Sequence, residues 1–189
     1  MIFFKIKRKL FGKVERFVYK TCVTDVSISC VRHDDKECYV AEGHGGRKVE
    51  TWPIYAFYKA YLHGDVNWAK SAWIECYLEQ YEKYKNVSKL KGGMLNGSLD
   101  RSLKALNLGN GNASSDILRR GIEKRVEERL RLADTIREEG YRPGLGDPVT
   151  GIMKTDRKLI LCCGHHRVAV LAALDEKVVP KVTVYSKRF

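Results

Sequence analysis

Between Lys158 and Val184 the hydrophobic pattern changes period twice, and this restricts the chain more than any other stretch. Lys158-Leu159-Ile160-Leu161-Cys162-Cys163 is a short continuous apolar run, entered through the turn residues Thr155-Asp156-Arg157, and it reads as a strand. Gly164-His165-His166-Arg167 interrupts the run. Val168 to Leu174 then reads as a helix, and Val178-Val179-Pro180-Lys181-Val182-Thr183-Val184 as a closing strand. The expected fold class is α+β.

A glycine between strand and helix lets the chain turn sharply and exposes the first free N–H groups of the helix. Those donors, together with the helix dipole, make an anion site. Arg167 in the first turn adds a guanidinium able to grip phosphate with two bonds. His165 and His166 supply imidazoles that can donate hydrogen bonds or shuttle a proton, which makes them the candidate catalytic residues. Gly164, His165, His166 and Arg167 are therefore the candidate phosphate contacts.

Three other readings compete. Cys162, Cys163, His165 and His166 resemble a metal cluster in composition, but neighbours on a strand face opposite sides, so the two thiols do not easily share an ion. Cys163 beside His165 could form a nucleophilic pair, although no third group to orient the imidazole is visible. The last is structural: small residues for tight packing, with the histidines as polar filler.

Upstream, Leu118, Ile122, Val126, Leu130 and Ala133 give a sustained helical stripe from a cap at Ser115 or Asp116 to a closing Gly140. The other face carries Arg119, Arg120, Glu123, Lys124, Glu127, Glu128, Arg131 and Arg137 and reads as a solvated salt-bridge surface. Residues 86–115 are dense in Gly, Asn and Ser, with a short helix expected over Leu99 to Leu106. They divide the chain into an N-terminal extension (1–90), a linker (91–115) and a C-terminal domain (116–189). The extension is expected to be largely helical and rich in aromatics. Thr51 can cap a first helix that has Pro53 in its first turn. A second, starting near Asp65 or Asn67, places Trp73, Tyr77, Tyr81 and Tyr84 on one face. That stripe reads as core, with base stacking on single-stranded nucleic acid as the alternative. Before these helices, Val23 to Val31 and Cys38 to Ala41 flank the turn residues His33 to Lys36, which suggests a hairpin.

The 189 residues carry a formal charge of +12, which favours polyanionic partners. Residues 2–20 hold seven basic residues against Glu15. They read as a terminal element packed by its apolar side, or as a basic amphipathic segment for nucleic acid or a membrane surface. No transmembrane segment is expected, since nothing approaches the ~20 apolar residues of a span. Met1-Ile2-Phe3-Phe4 runs at once into Lys5, Lys7, Arg8 and Lys9, so no secretory leader is expected. The six cysteines are expected to be reduced thiols of a cytoplasmic protein.

Ile136 to Tyr141, Pro148-Val149, the strand into Gly164-His165-His166-Arg167, the alanine-rich helix and Val179-Pro180-Lys181-Val182 together resemble the partition-protein-B (ParB) and sulfiredoxin superfamily over about seventy residues. The resemblance implies a small mixed-sheet domain in which a Gly-x-x-Arg or Gly-x-His-Arg box holds nucleotide phosphates. By position those contacts fall on Gly164, His165, His166 and Arg167. Members bind and hydrolyse CTP, use ATP or ADP, or cleave nucleic acid. The box here is most like that of free-serine kinases and of many prokaryotic and viral proteins, some with an upstream segment like Trp52…Gly64-x-x-x-Trp68…Tyr77. Kinase-like members have an acid where this chain has Cys163, and sulfiredoxins a cysteine where it has His165.

Three functions follow as expectations. The first is a nucleotide- or phosphate-binding protein, with ATP, ADP or CTP and Mg²⁺ as the implied ligands and with or without slow hydrolysis. The second is a phosphotransferase or nuclease using His165 or His166, with Asp147, Asp156 or Asp175 as a metal-holding carboxylate. The third is a basic nucleic-acid-binding or assembly protein working through its N-terminal half.

Overall fold

The β-branched stretches at the two ends of the chain meet in one sheet. The structure, a computed structural model, describes residues 5–10, 13–32, 48–84, 115–143, 148–154 and 157–187. Its strands are β1 (Lys5–Leu10), β2 (Lys13–Ser27), β3 (Val31–Arg32), β4 (Thr150–Met153), β5 (Leu159–Cys163) and β6 (Val178–Lys187). Its helices are α1 (Pro53–Leu62), α2 (Val66–Tyr84), α3 (Ser115–Glu139) and α4 (His165–Ala173). The fold is α+β, built on a mixed five-strand sheet in the order β2-β6-β4-β5-β3, with β1 joined to β2 as a hairpin. β6 runs antiparallel to β2 and parallel to β4; β5 runs antiparallel to β4 and parallel to β3.

Of the hairpin expected over residues 22–41, only the first run falls among the described residues. Val23 and Val26 belong to β2, a 3-10 turn over Ile28–Cys30 breaks the run, and Val31 opens β3, which pairs with Leu159 of β5 rather than with β2. Cys38 to Ala41 lie outside the described residues, as do Leu99 to Leu106. The N-terminal extension and the C-terminal domain that the sequence separates share this sheet, because β2 pairs along β6 from Tyr19↔Lys187 to Ser27↔Val178.

A proline in an inner strand costs a ladder bond. Pro180 sits where the β2–β6 register shifts, between Thr24 and Val26. Next to it Lys181 adopts a left-handed backbone, φ +52°, and donates its N–H to the Asp25 carboxylate at 2.9 Å. The bulge thus absorbs the proline and a side chain replaces the lost main-chain acceptor.

The α3 stripe behaves as its period predicts: Leu118, Ile122, Val126, Leu130 and Ala133 are all buried, and Gly140 ends the helix at φ +76°. α1 starts after Trp52 rather than under a Thr51 cap; the Thr51 hydroxyl donates instead to the Lys48 carbonyl at 2.8 Å within a 3-10 turn. Trp73 and Tyr77 are fully buried and Trp68 is half exposed, so the aromatic stripe of α2 is core at both positions whose side chains are described. One apolar cluster joins Val26, Trp52, Tyr58, Trp73, Ile122, Val168 and Val182, drawing on both halves of the chain. Among the described residues, no helix is long and apolar enough to cross a membrane.

Candidate functional site

Gly164 fixes how α4 leaves β5. Its backbone is left-handed, φ +91°, and a Cβ there would sit 2.7 Å from Val149 Cγ2 and 3.0 Å from Val149 Cα. Both the conformation and the close approach exclude a side chain. The first intrahelical bond runs from the Val168 N–H to the Gly164 carbonyl at 3.1 Å, so the N–H groups of residues 165 to 167 find no acceptor within the helix.

The two histidines of the box point to different surroundings, because consecutive helical residues diverge by about 100°. His165 is half buried, with its ring 5.8 Å from that of Trp52. His166 is 8% exposed and lies inside the aromatic core, stacked on Trp73 at 6.0 Å and 24° and met edge-on by Tyr58. Its Nδ1 is 2.9 Å from the Tyr58 hydroxyl. Burial holds the imidazole neutral, well below its ordinary range, and the charges of Arg129, His165, Arg125 and Arg167 act in the same direction. Burial also keeps Tyr58 protonated. If Nδ1–H donated to Tyr58, both the phenol proton and Nε2 would go unmatched; if Tyr58 donates to Nδ1, only Nε2–H does. The second arrangement leaves fewer buried groups unsatisfied and is the favoured one. Nε2 is then a buried donor that meets no acceptor among the described residues. A neutral, enclosed imidazole is a poor proton shuttle but a ready hydrogen-bond donor.

Arg167 is partly exposed and makes no ion pair among the described residues. It borders a shallow cleft of about 60 Å³ between α4 and the C-terminal end of α3, lined also by Leu132, Ile136, Gly140 and Tyr141. Burial raises the Tyr141 phenol above its usual range, and the nearby Arg167 charge offsets part of that.

Sequence patterning alone does not single out Arg125 and Arg129. They stand one turn apart on α3, flanking the buried Val126. Desolvation lowers the Arg129 guanidinium from its usual range, and the like charge of Arg125 lowers it further. The Arg129 Nε is buried with no partner among the described residues, whereas Arg125 is paired with Glu128 at 2.6 Å. The available signal is the helical period: Arg125, Arg129, Leu132 and Ile136 form a second line beside the apolar stripe, where a solvated arginine is not expected.

The charges of Arg125, Arg129 and Arg167 act on both Tyr58 and His166, that of His165 acts on His166, and Glu128 is paired with Arg125.

Other sequence-predicted groups lie elsewhere. Asp175 is at the far end of α4, about 14 Å along the helix from the box, where Lys59 binds both its oxygens at 3.0 and 3.1 Å. This corrects its reading as a metal-holding carboxylate for His165 or His166. Asp147 and Asp156 lie outside the described residues. Cys162 is exposed and Cys163 half buried, on opposite faces of β5. No family model matches this sequence, and neither a curated protein nor a solved structure matches it significantly.

Proposed function

We propose that this protein binds a phosphorylated ligand at the N-terminus of α4, with a nucleotide (ATP, ADP or CTP) as the leading class and with or without slow hydrolysis. The observation that carries this reading is the start of α4 at Gly164, whose first N–H groups have no acceptor within the helix, with the buried, unpartnered His166 Nε2 and the Arg167 guanidinium in its first turn. A helix start with free N–H donors, a guanidinium able to make two parallel bonds and a buried donor are the elements from which phosphate sites are assembled. The strand–Gly164–helix junction within an α+β fold is compatible with the ParB/sulfiredoxin-like domain that the box resembles. Mg²⁺ would enter with the polyphosphate, held by its oxygens; among the described residues no group of three or more His, Cys, Asp or Glu is set to hold a metal ion.

The test is calorimetric and thermal-shift titration with ATP, ADP, CTP and GTP in the presence of Mg²⁺. Wild type is compared with Arg167→Ala and with Arg119→Ala, an exposed arginine whose partners are Glu75 and Glu123. Saturable binding lost in Arg167→Ala and kept in Arg119→Ala is expected. Binding that Arg167→Ala leaves intact, or nucleic-acid binding with a steep salt dependence in its place, would move the function to the basic N-terminal half.

A further inference from the structure

Lys5 to Lys20 hold seven basic residues and one acid, Glu15. The strand register sorts them. Directly opposite residues of an antiparallel pair share a face, and alternate residues along a strand lie on opposite faces. Pairing from Lys5↔Val18 to Leu10↔Lys13 therefore puts Lys5, Lys7, Lys9 and Arg16 on one face with Val14 and Val18. Lys20 continues that face along β2. It holds no acid. Glu15 is on the other face, directly opposite Arg8, with Ile6, Leu10, Lys13 and Phe17. Because β2 pairs with β6 only from Tyr19 onward, the β1–β2 ribbon runs past the end of the five-strand sheet. Its projecting length is about 20 Å, from the rise per strand residue. Among the described residues β1 packs on β2 and has at most slight contact with any other element. Charge continues at the base of the ribbon. Met153 pairs with Ser186, so the turn after β4 lies at the same end of the sheet, two strand spacings (about 10 Å) from β2. Its Lys154, Arg157 and Lys158 are exposed.

Lysines on an edge strand can serve only to block pairing with other chains. That use does not require one face to be free of acids, nor Lys7 to stand directly opposite Arg16. Like charges directly opposite weaken a ribbon on its own and suit one that meets a polyanion. We infer that the β1–β2 ribbon is a docking arm for double-stranded DNA, seated in the major groove by the face that carries Lys5, Lys7, Lys9, Arg16 and Lys20. The B-form major groove is wide enough to admit a two-stranded ribbon, whereas that of A-form RNA is deep and narrow. Single strands need aromatic platforms among the cations, and the basic face has none. A bilayer needs an apolar face, but Ile6, Leu10 and Phe17 share theirs with Arg8, Lys13 and Glu15. The inference does not depend on the phosphate site at α4.

The experiment is fluorescence anisotropy of the full chain with labelled duplex DNA over a range of salt, beside duplex RNA of the same sequence. Sedimentation with vesicles of phosphatidylcholine and phosphatidylserine is run in parallel. Two double variants each remove two charges, Lys7→Gln with Arg16→Gln from the basic face and Arg8→Gln with Lys13→Gln from the other. Wild type is expected to prefer duplex DNA to duplex RNA at least tenfold. Five neutralised phosphates give a slope of about −4.5 in log K against log salt. The first double variant should weaken DNA binding at least tenfold at low salt and make the slope shallower by about 2. The second should leave both close to wild type, and so should Arg167→Ala. Unchanged thermal melts show that the variants act on binding and not on folding. Equal losses in the two double variants would overturn the face assignment, and equal affinity for duplex RNA would overturn seating in the groove. Vesicle binding without duplex binding would overturn the inference in favour of a membrane surface. DNA binding lost in Arg167→Ala but kept in both ribbon variants would overturn it in favour of the α4 site.

Discussion

The Tyr58 hydroxyl on α1 and the His166 Nδ1 on α4 lie 2.9 Å apart across 108 positions of sequence, and this bond ties the aromatic helix pair to the first turn of the box helix. The aromatic segment is thereby part of the box's support. With Tyr58 as donor the imidazole has one defined tautomer, and its Nε2–H is aimed by packing rather than by solvent.

Tyr58→Phe removes the donor and leaves Nδ1 as well as Nε2 without a partner in the core. A loss of about 1–3 kcal/mol is expected, the usual cost of stranding a buried polar group. Urea denaturation at neutral pH measures it; an unchanged midpoint would mean that the bond is not formed in solution.

The pH dependence has a definite sign. His166 is held neutral in the fold, with its pKa pushed well below the ordinary 6.5 by burial and the surrounding arginines. Below pH 6.5 the unfolded chain takes up a proton that the folded chain refuses, so stability is fully present above about 6.5 and declines on acidification toward the folded value. The slope from this one group is at most about 1.4 kcal/mol per pH unit. On acidification from neutral pH, denaturation curves of wild type should fall more steeply than those of His166→Phe. Parallel curves would place His166 in contact with water.

Gly164→Ala is expected to be among the most damaging small substitutions in the chain. It adds a Cβ 2.7 Å from Val149 Cγ2 and forces alanine into φ +91°. Each of the two faults costs on the order of 1–3 kcal/mol. Val149→Ala in the same chain should relieve the clash but not the backbone strain, so thermal melts of the double variant should recover only part of the loss.

Lys181→Gly goes in the opposite direction. Lys181 occupies φ +52° beside Pro180, a conformation that glycine adopts without the side-chain penalty. A gain of roughly 0.5–1 kcal/mol is expected, smaller than the full left-handed penalty because glycine loses more freedom on folding. Guanidinium midpoints compare it with Asp25→Ala, which removes the acceptor of the Lys181 N–H at 2.9 Å and should lower stability.

Local periodicity made part of this molecule legible. α3 follows from its stripe and its terminal glycine, and the β5–Gly164–α4–β6 series follows from the two changes of hydrophobic period. What the sequence hid was non-local. The partner of β2 is β6, joined at Asp25 and Lys181 across 156 positions, and no short-range pattern encodes that pairing. Pro180 argues against an inner strand until the bulge that accommodates it is known. At the site, Gly164 and Arg167 are legible because the box is contiguous. Arg125 and Arg129 are not, since a helical arginine shows its burial only when the neighbouring helix is in place. His166 carries the same ambiguity: a histidine in a helix's first turn looks alike whether it faces a ligand or a tryptophan.

The stacking of His166 on Trp73, and the approach of His165 to Trp52, have an optical consequence. Two of the three tryptophans in the chain have a box histidine as ring neighbour. An imidazolium quenches indole emission, whereas a neutral imidazole does so weakly. The molecule therefore carries its own spectroscopic gauge. Ultraviolet excitation of the unlabelled protein reports the protonation of the box histidines, with Trp68, which has no histidine ring against it among the described residues, as the background.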